Sequence, residues 1–208
     1  MNTREGIDVV LFDMGGVLVE LGELEDFMGL PPSTQDFWPR WLASPAVRAF
    51  ERGHSTAAEF GSGLVAEFNL GISAQAVVER FGQFPRGLFD GAAELVNEVH
   101  QLARTAVLSN TNAIHWENQI DGEQIRSLFD EQFLSYEMGL VKPDIDLFHA
   151  VVDQLGTPAS KVLFVDDNQI NVDGAAEAGI VAHLAKGVAE TRQVLSGYGL
   201  AQPHTDRH

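Results

Sequence analysis

The chain has 208 residues, 45% hydrophobic and 21% charged, which is enough to bury a substantial core in one domain with an insert or in two small ones. Thirty acidic residues against thirteen Lys and Arg leave a formal net charge of −17, a field that repels nucleic acid and anionic lipid, so neither is an expected partner. The absence of cysteine excludes disulfides, thiolate metal sites and cysteine nucleophiles.

The segment from Met1 to Gly6 has no signal-peptide pattern, and no apolar run approaches the roughly 20 residues that span a bilayer. A cytoplasmic protein is expected. The run Val9-Val10-Leu11-Phe12 then delivers a single carboxylate, Asp13, to the turn Gly15-Gly16-Val17. A short apolar run ending in an acid predicts a buried parallel strand with Asp13 at its C-terminal lip, where open α/β sheets bind ligands.

The next segment breaks that pattern. Pro31-Pro32-Ser33-Thr34 predicts a helix start, and Phe37, Trp38, Trp41, Leu42 and Val47 recur at mostly helical spacing as the core of a small unit. Glu51-Arg52-Gly53-His54-Ser55-Thr56 reads as a turn into a helix over 57–68. Ser73 caps another, and Pro85-Arg86-Gly87 closes the segment. Residues 21–88 are thus expected to be an all-helical cap inserted into an α/β core made of residues 1–20 and 89–208.

Beyond the insert, helical patterns at 92–103, 144–155 and 168–178 alternate with strand-like runs at 105–109, 131–135, 162–165 and 180–184. This alternation predicts an α/β fold with a doubly wound parallel sheet. The tail from Gln202 is expected to fray.

The predicted sheet gathers four segments at one edge: Asp13; Ser109-Asn110-Thr111-Asn112; Lys142 before Pro143; and Asp166-Asp167, with Asn171 one helical turn on. These are the parts that phosphoryl transfer requires. A carboxylate attacks phosphorus, a hydroxyl and backbone N–H groups hold the non-bridging oxygens, and a lysine offsets charge. Paired acids hold Mg²⁺, one by direct ligation and the other through a metal water or by orienting Lys142. Asp166-Asp167 also suits the N-terminus of the helix that follows.

With these four motifs in order, the chain resembles the haloacid dehalogenase superfamily of phosphohydrolases. The resemblance covers nearly the whole chain. Ser109-Asn110-Thr111-Asn112 with His115, Gly15-Gly16-Val17 and Glu51-Arg52-Gly53 look most like its α-D-glucose-1-phosphate phosphatase branch. The resemblance implies a Rossmann-like core under a helical cap and an aspartyl-phosphate on Asp13. It also implies Mg²⁺ held by Asp13, the Gly15 carbonyl, Asp166 and Asp167. Lys142 and Ser109 would bind phosphate, and Asn110, Gly16 and, from the cap turn, Arg52 would complete the substrate contacts.

One position departs from the pattern. Most phosphatases of the superfamily carry Asp-x-Asp, whose second acid protonates the leaving oxygen and then activates water, whereas this chain has Gly15. Losing a general acid costs about 10²–10⁴ in rate, and least when the leaving group is already acidic. A small phosphorylated metabolite with an activated ester, a sugar-1-phosphate first, is therefore the expected substrate. His54 and His115 are the histidines that could supply the proton instead. The alternatives are a dehalogenase-type hydrolase, which would need no Mg²⁺, and a weakly active protein that binds a phosphorylated ligand.

Overall fold

The computed structural model describes residues 6–23, 27–29, 37–118 and 122–203, except for the side chains of 37, 38, 118 and 122. The expected helix start at 31–34 and the core roles of the Phe37 and Trp38 side chains lie outside the described residues.

The core is one five-stranded sheet built from β1 (Val9–Phe12), β4 (Arg104–Ser109), β5 (Glu131–Leu134), β6 (Val162–Asp166) and β7 (Val181–Leu184). The strands run in the order β5-β4-β1-β6-β7, and every pairing is parallel. β1 sits at the centre, with Phe12 opposite Val107 on one side and Val165 on the other.

All four β1 residues are fully buried, and the strand period of two divides them between two apolar layers. Val10 and Phe12 join Val107, Leu163 and Val165 in one layer, against Leu95, Val96 and Val99 of α5 (Ala92–His100) and Leu195 of α11 (Gly187–Gly197). Val9 and Leu11 join Ala106, Leu108 and Phe164 in the other, against Leu147, Phe148 and Val151 of α9 (Ile145–Leu155) and Ala175 of α10 (Gln169–Glu177). This is the predicted doubly wound α/β sheet.

Between β1 and β4 lie α1 (Phe37–Ala43), α2 (Pro45–Glu51), α3 (Ala57–Phe68) and α4 (Ala74–Phe81). Ser44 caps α2, and Ser73 caps α4 as the sequence predicts. Thr56 and Glu59 form a reciprocal capping box at the start of α3. These helices have an apolar cluster of their own, with Phe27, Trp41, Phe50, Phe60 and Phe81 packed ring against ring.

Two expectations need correction. Pro85-Arg86-Gly87 is not a closing turn but part of a strand, β3 (Pro85–Leu88), antiparallel to β2 (Val19–Leu21). Pro85 can open such a strand because its missing N–H is tolerated there. The two passages of chain between core and helices thus run side by side as a ribbon. The tail expected to fray from Gln202 is held at its start, where the Gln202 N–H donates to the Glu98 carboxylate, and its residues 204–208 lie outside the described residues.

Candidate active site

The sheet's carboxyl edge carries a charged floor. Asp13 follows β1, Ser109 ends β4 and Asp166 ends β6, and all three are buried. Lys142 comes from the loop before α9 and is only 2% exposed. Its Nζ lies 2.5 Å from Asp13 Oδ1 and 2.7 Å from Asp166 Oδ2. Asn110 fixes this loop from both sides: its Oδ1 accepts the Lys142 N–H at 2.8 Å and its Nδ2 donates to the Lys142 carbonyl at 3.1 Å. Its amide is therefore engaged with the Lys142 backbone, which makes Asn110 a positioning group for the lysine as well as part of the cleft wall.

Asp166 is held hard. It accepts from Lys142, from the Asn168 N–H and from the Asn171 amide. Asp167 projects beside the Gly15-Gly16 turn. Gly16 has φ +76°, and a Cβ there would lie 2.2 Å from Asp167 Oδ2. Only glycine allows this approach. The Gly16 N–H is spent on the Val19 carbonyl, so the expected Gly16 substrate contact gives way to a different role, making room for Asp167.

The electrostatics follow from crowding. Asp13, Asp166 and Asp167 bring carboxylate oxygens within 4.8 Å of one another, with the Lys142 ammonium paired to two of them. Burial, reinforced by Asp166 and Asp167, pushes Asp13 up to about 8 against the opposing pull of Lys142, and Asp167 rises to about 6 by burial and by Asp166. Burial alone would push the Lys142 ammonium down, but Asp13 and Asp166 together hold it above its ordinary value. A hard divalent cation fits this site. The donors are oxygens, the excess charge is negative, and the buried Asn171 Oδ1 has no partner among the described residues, so the waters of a hydrated cation suit it.

The floor opens into a cleft of about 140 Å³, walled on one side by Ser109, Thr111, Asn112 and Asn171. Trp41, Leu42, Phe81 and Phe84 of the helical unit form the other side, so Trp41 serves both the apolar cluster and the cleft. This volume is below the few hundred cubic ångströms of drug-sized sites and suits a small ligand.

Three further sequence candidates do not take the expected roles. Arg52 does not line the cleft, because its guanidinium pairs with Asp144 at 2.5 Å, beside Arg48, which holds both Asp144 oxygens at 2.8 and 2.7 Å. The two arginines tie α2 to the N-terminus of α9 instead of reaching a ligand. His54 is exposed beside Gly139, away from the cleft walls. His115 does line the cleft, but burial pushes it down to about 4. The ring is thus neutral, and its Nε2–H donates to the Phe81 carbonyl at 2.7 Å.

One cleft residue escapes sequence reasoning. Glu51, the last residue of α2, reaches the cleft. Burial pushes it up to about 7, although Lys142, Arg48 and Asn110 all favour its carboxylate. Its only sequence signal is its place in Glu51-Arg52-Gly53. Gly53, at φ +69°, turns so tightly that a Cβ would lie 2.4 Å from the Tyr136 carbonyl oxygen.

The family model for haloacid dehalogenase-like hydrolases matches residues 7–179. Phosphatase MT3486 of Mycobacterium tuberculosis is 26% identical over 89% of this chain and 90% of its own length. The D-ribitol-5-phosphate phosphatase of Bacteroides thetaiotaomicron is 25% identical over 90% of this chain and 96% of its own. The crystal structure of the HAD family enzyme bt-2542 from the same organism, in complex with magnesium and inorganic phosphate, aligns with a TM-score of 0.69. It is 28% identical and covers 87% of this chain and 95% of that one.

Proposed function

This chain belongs to the haloacid dehalogenase-like hydrolases, and from that membership we propose a Mg²⁺-dependent phosphatase that hydrolyses a small phosphorylated metabolite, a sugar-1-phosphate first, through an aspartyl-phosphate on Asp13. The observation that carries this reading is the buried Asp13–Lys142–Asp166 arrangement on the floor of a small cleft. Relatives named as phosphatases, and a magnesium and phosphate complex of a related structure, support it.

In this reading Asp13 attacks phosphorus and expels the alcohol, and water then cleaves the acyl phosphate. Lys142 keeps its charge throughout and offsets the negative charge shared by Asp13 and the phosphoryl oxygens. The Ser109 hydroxyl donates to a non-bridging oxygen, and Asn110 keeps Lys142 in register. Mg²⁺, held by Asp13, the Gly15 carbonyl, Asp166 and Asp167, supplies positive charge against the phosphoryl group when bound.

Gly15 carries no proton, so the floor does not protonate the leaving oxygen, and an anomeric hydroxyl leaves more readily than an ordinary alcohol. Residues 21–88 act as a cap over the core of 1–20 and 89–208, with the aromatic wall of Trp41, Phe81 and Phe84 facing the substrate. Among the described residues no helix is long and apolar enough to cross a membrane, and a chain without cysteine suits the reducing cytoplasm.

The test is phosphate release from sugar-1-phosphates, sugar-6-phosphates, nucleotides and acyl phosphates with and without Mg²⁺. Mg²⁺-dependent turnover led by the anomeric phosphates is expected. Primary phosphomonoesters turning over as fast would remove the substrate class, and silence across the panel would remove the phosphatase.

A further inference from the structure

We propose that Glu51, carried into the cleft by the helical unit, is the general acid and base of this phosphatase, doing from above what the floor does not do at position 15. The proposal rests on the phosphatase reading of the site, though not on the choice of sugar-1-phosphate.

The floor itself has lost the means. Gly15 lines the cleft without a carboxyl, and a Cβ at that position would meet Leu21 Cδ1 at 2.9 Å. An apolar side chain thus fills the space into which an acid at 15 would grow. The two histidines do not replace it, since His54 lies off the cleft and the neutral His115 has its proton committed to the Phe81 carbonyl. Among the described residues that line the cleft, the ionisable groups are Asp13, Asp167, Lys142, His115 and Glu51. The first three are the nucleophile, a residue assigned to Mg²⁺ and the nucleophile's counter-charge. Glu51 remains.

Its placement is built. α2 ends at Glu51, and the next two residues fasten that end to the core. Arg52, with Arg48 one turn earlier, grips Asp144, the residue two beyond Lys142. Gly53 lies against the Tyr136 backbone of α8 (Ser135–Met138). Glu51 is thereby held in the cleft near Lys142 and Asn110. Lys142 from the core loop, Arg48 on its own helix and the Asn110 amide act on Glu51 directly. Asp13, Asp167 and His115 share the cleft with it. Burial outweighs the groups that favour its charged form and raises Glu51 to about 7, a value suited to giving and taking a proton near neutrality.

The proton balance closes over one cycle. As Asp13 Oδ bonds to phosphorus and the ester P–O bond breaks, protonated Glu51 gives its proton to the departing oxygen, releasing the neutral alcohol. The Glu51 carboxylate then takes a proton from the water that attacks the acyl phosphate, the P–O bond to Asp13 breaks, and inorganic phosphate leaves. Glu51 ends protonated, as it began. A poorer leaving group still departs more slowly with this help, so anomeric phosphates remain the faster class in the wild-type protein.

The test compares Glu51→Gln with wild type on an alkyl phosphate and on p-nitrophenyl phosphate, whose leaving group needs no proton. The ratio kcat/KM reports the steps up to expulsion of the alcohol. It is expected to fall by about 10²–10⁴ for the alkyl ester and by less than about tenfold for the aryl ester. On the aryl ester the variant should also show a burst of p-nitrophenol followed by a slow steady state, because the dephosphorylating water has lost its base. Inorganic phosphate binding measured by calorimetry in the presence of Mg²⁺ should be retained, at least as tight as in wild type because Gln brings no negative charge to the anion, which verifies the folded site. Equal loss on both esters, or no loss on either, would overturn the proposal. Failure of the underlying reading looks different: wild type would then release phosphate from neither ester, and the proposal falls with it.

Discussion

Lys142→Met removes the buried ammonium from a cluster of carboxylates, and the structure sets the size of the consequence. Lys142 is 2% exposed, its partners' side chains are 10% exposed for Asp13 and fully buried for Asp166, and the two contacts are 2.5 and 2.7 Å. Breaking a buried ion pair by deleting one partner costs about 3–5 kcal/mol, because the other charge stays buried and unpaired. For a chain of this length that corresponds to a fall in Tm of about 6–20 °C. The penalty depends on pH in a defined direction. Asp13 already resists ionisation, being pushed up to about 8, so at pH 5 it stays protonated and much of the penalty disappears, whereas at pH 8 the unfolded chain ionises Asp13 freely and the folded variant can do so only without Lys142. Mg²⁺ should restore part of the loss, since it adds positive charge to the same cluster. The assay is thermal unfolding followed by circular dichroism at pH 5 and pH 8, with and without Mg²⁺. A variant as stable as wild type at pH 8 without Mg²⁺ would refute the reasoning.

Gly16→Ala places a methyl 2.2 Å from Asp167 Oδ2 at φ +76°. It should cost about 1–3 kcal/mol and, by displacing Asp167, raise the Mg²⁺ concentration needed for half-maximal activity. Asp144→Ala frees Arg48 and Arg52, whose bonds to it are partly shielded from solvent. A loss of about 1–2 kcal/mol and a higher KM are expected, read by urea unfolding and steady-state kinetics. His115 is held neutral by burial, at about 4 against an ordinary 6.5. The unfolded chain therefore binds a proton there first, and the stability this group contributes is present above about pH 6.5 and is lost as pH falls toward 4. For the partly exposed ring this amounts to about 1–2 kcal/mol at pH 5, and His115→Gln should flatten that part of the stability profile in denaturant titrations.

The floor of the site was legible because strands buried on both faces announce themselves. Apolar runs such as Val9–Phe12 and Val162–Asp166 leave little choice of structure, and the acids at their ends mark the carboxyl edge of the sheet. Helix α3 was legible from its turn and cap. The ribbon was not, because Val19-Glu20-Leu21 is too short to show a period and Pro85-Arg86-Gly87 has the composition of a turn; the pairing of Val19 with Leu88 decides the outcome. The roles within Glu51-Arg52-Gly53 were hidden for a similar reason. Nothing local assigns Arg52 to Asp144 or turns Glu51 toward Lys142, residues about ninety positions away in the chain. Gly16 was placed at the site from sequence, but its close approach to Asp167 depends on the crossing of two loops.

The central claim is that Asp13 carries the phosphoryl group. Rapid acid quench of the protein turning over a sugar-1-phosphate with Mg²⁺, followed by peptide mass spectrometry, tests it directly. The expected result is phosphate on the peptide containing Asp13 in wild type, with both the adduct and turnover absent in Asp13→Asn. Mg²⁺-dependent turnover without an adduct, undiminished in Asp13→Asn, would contradict it.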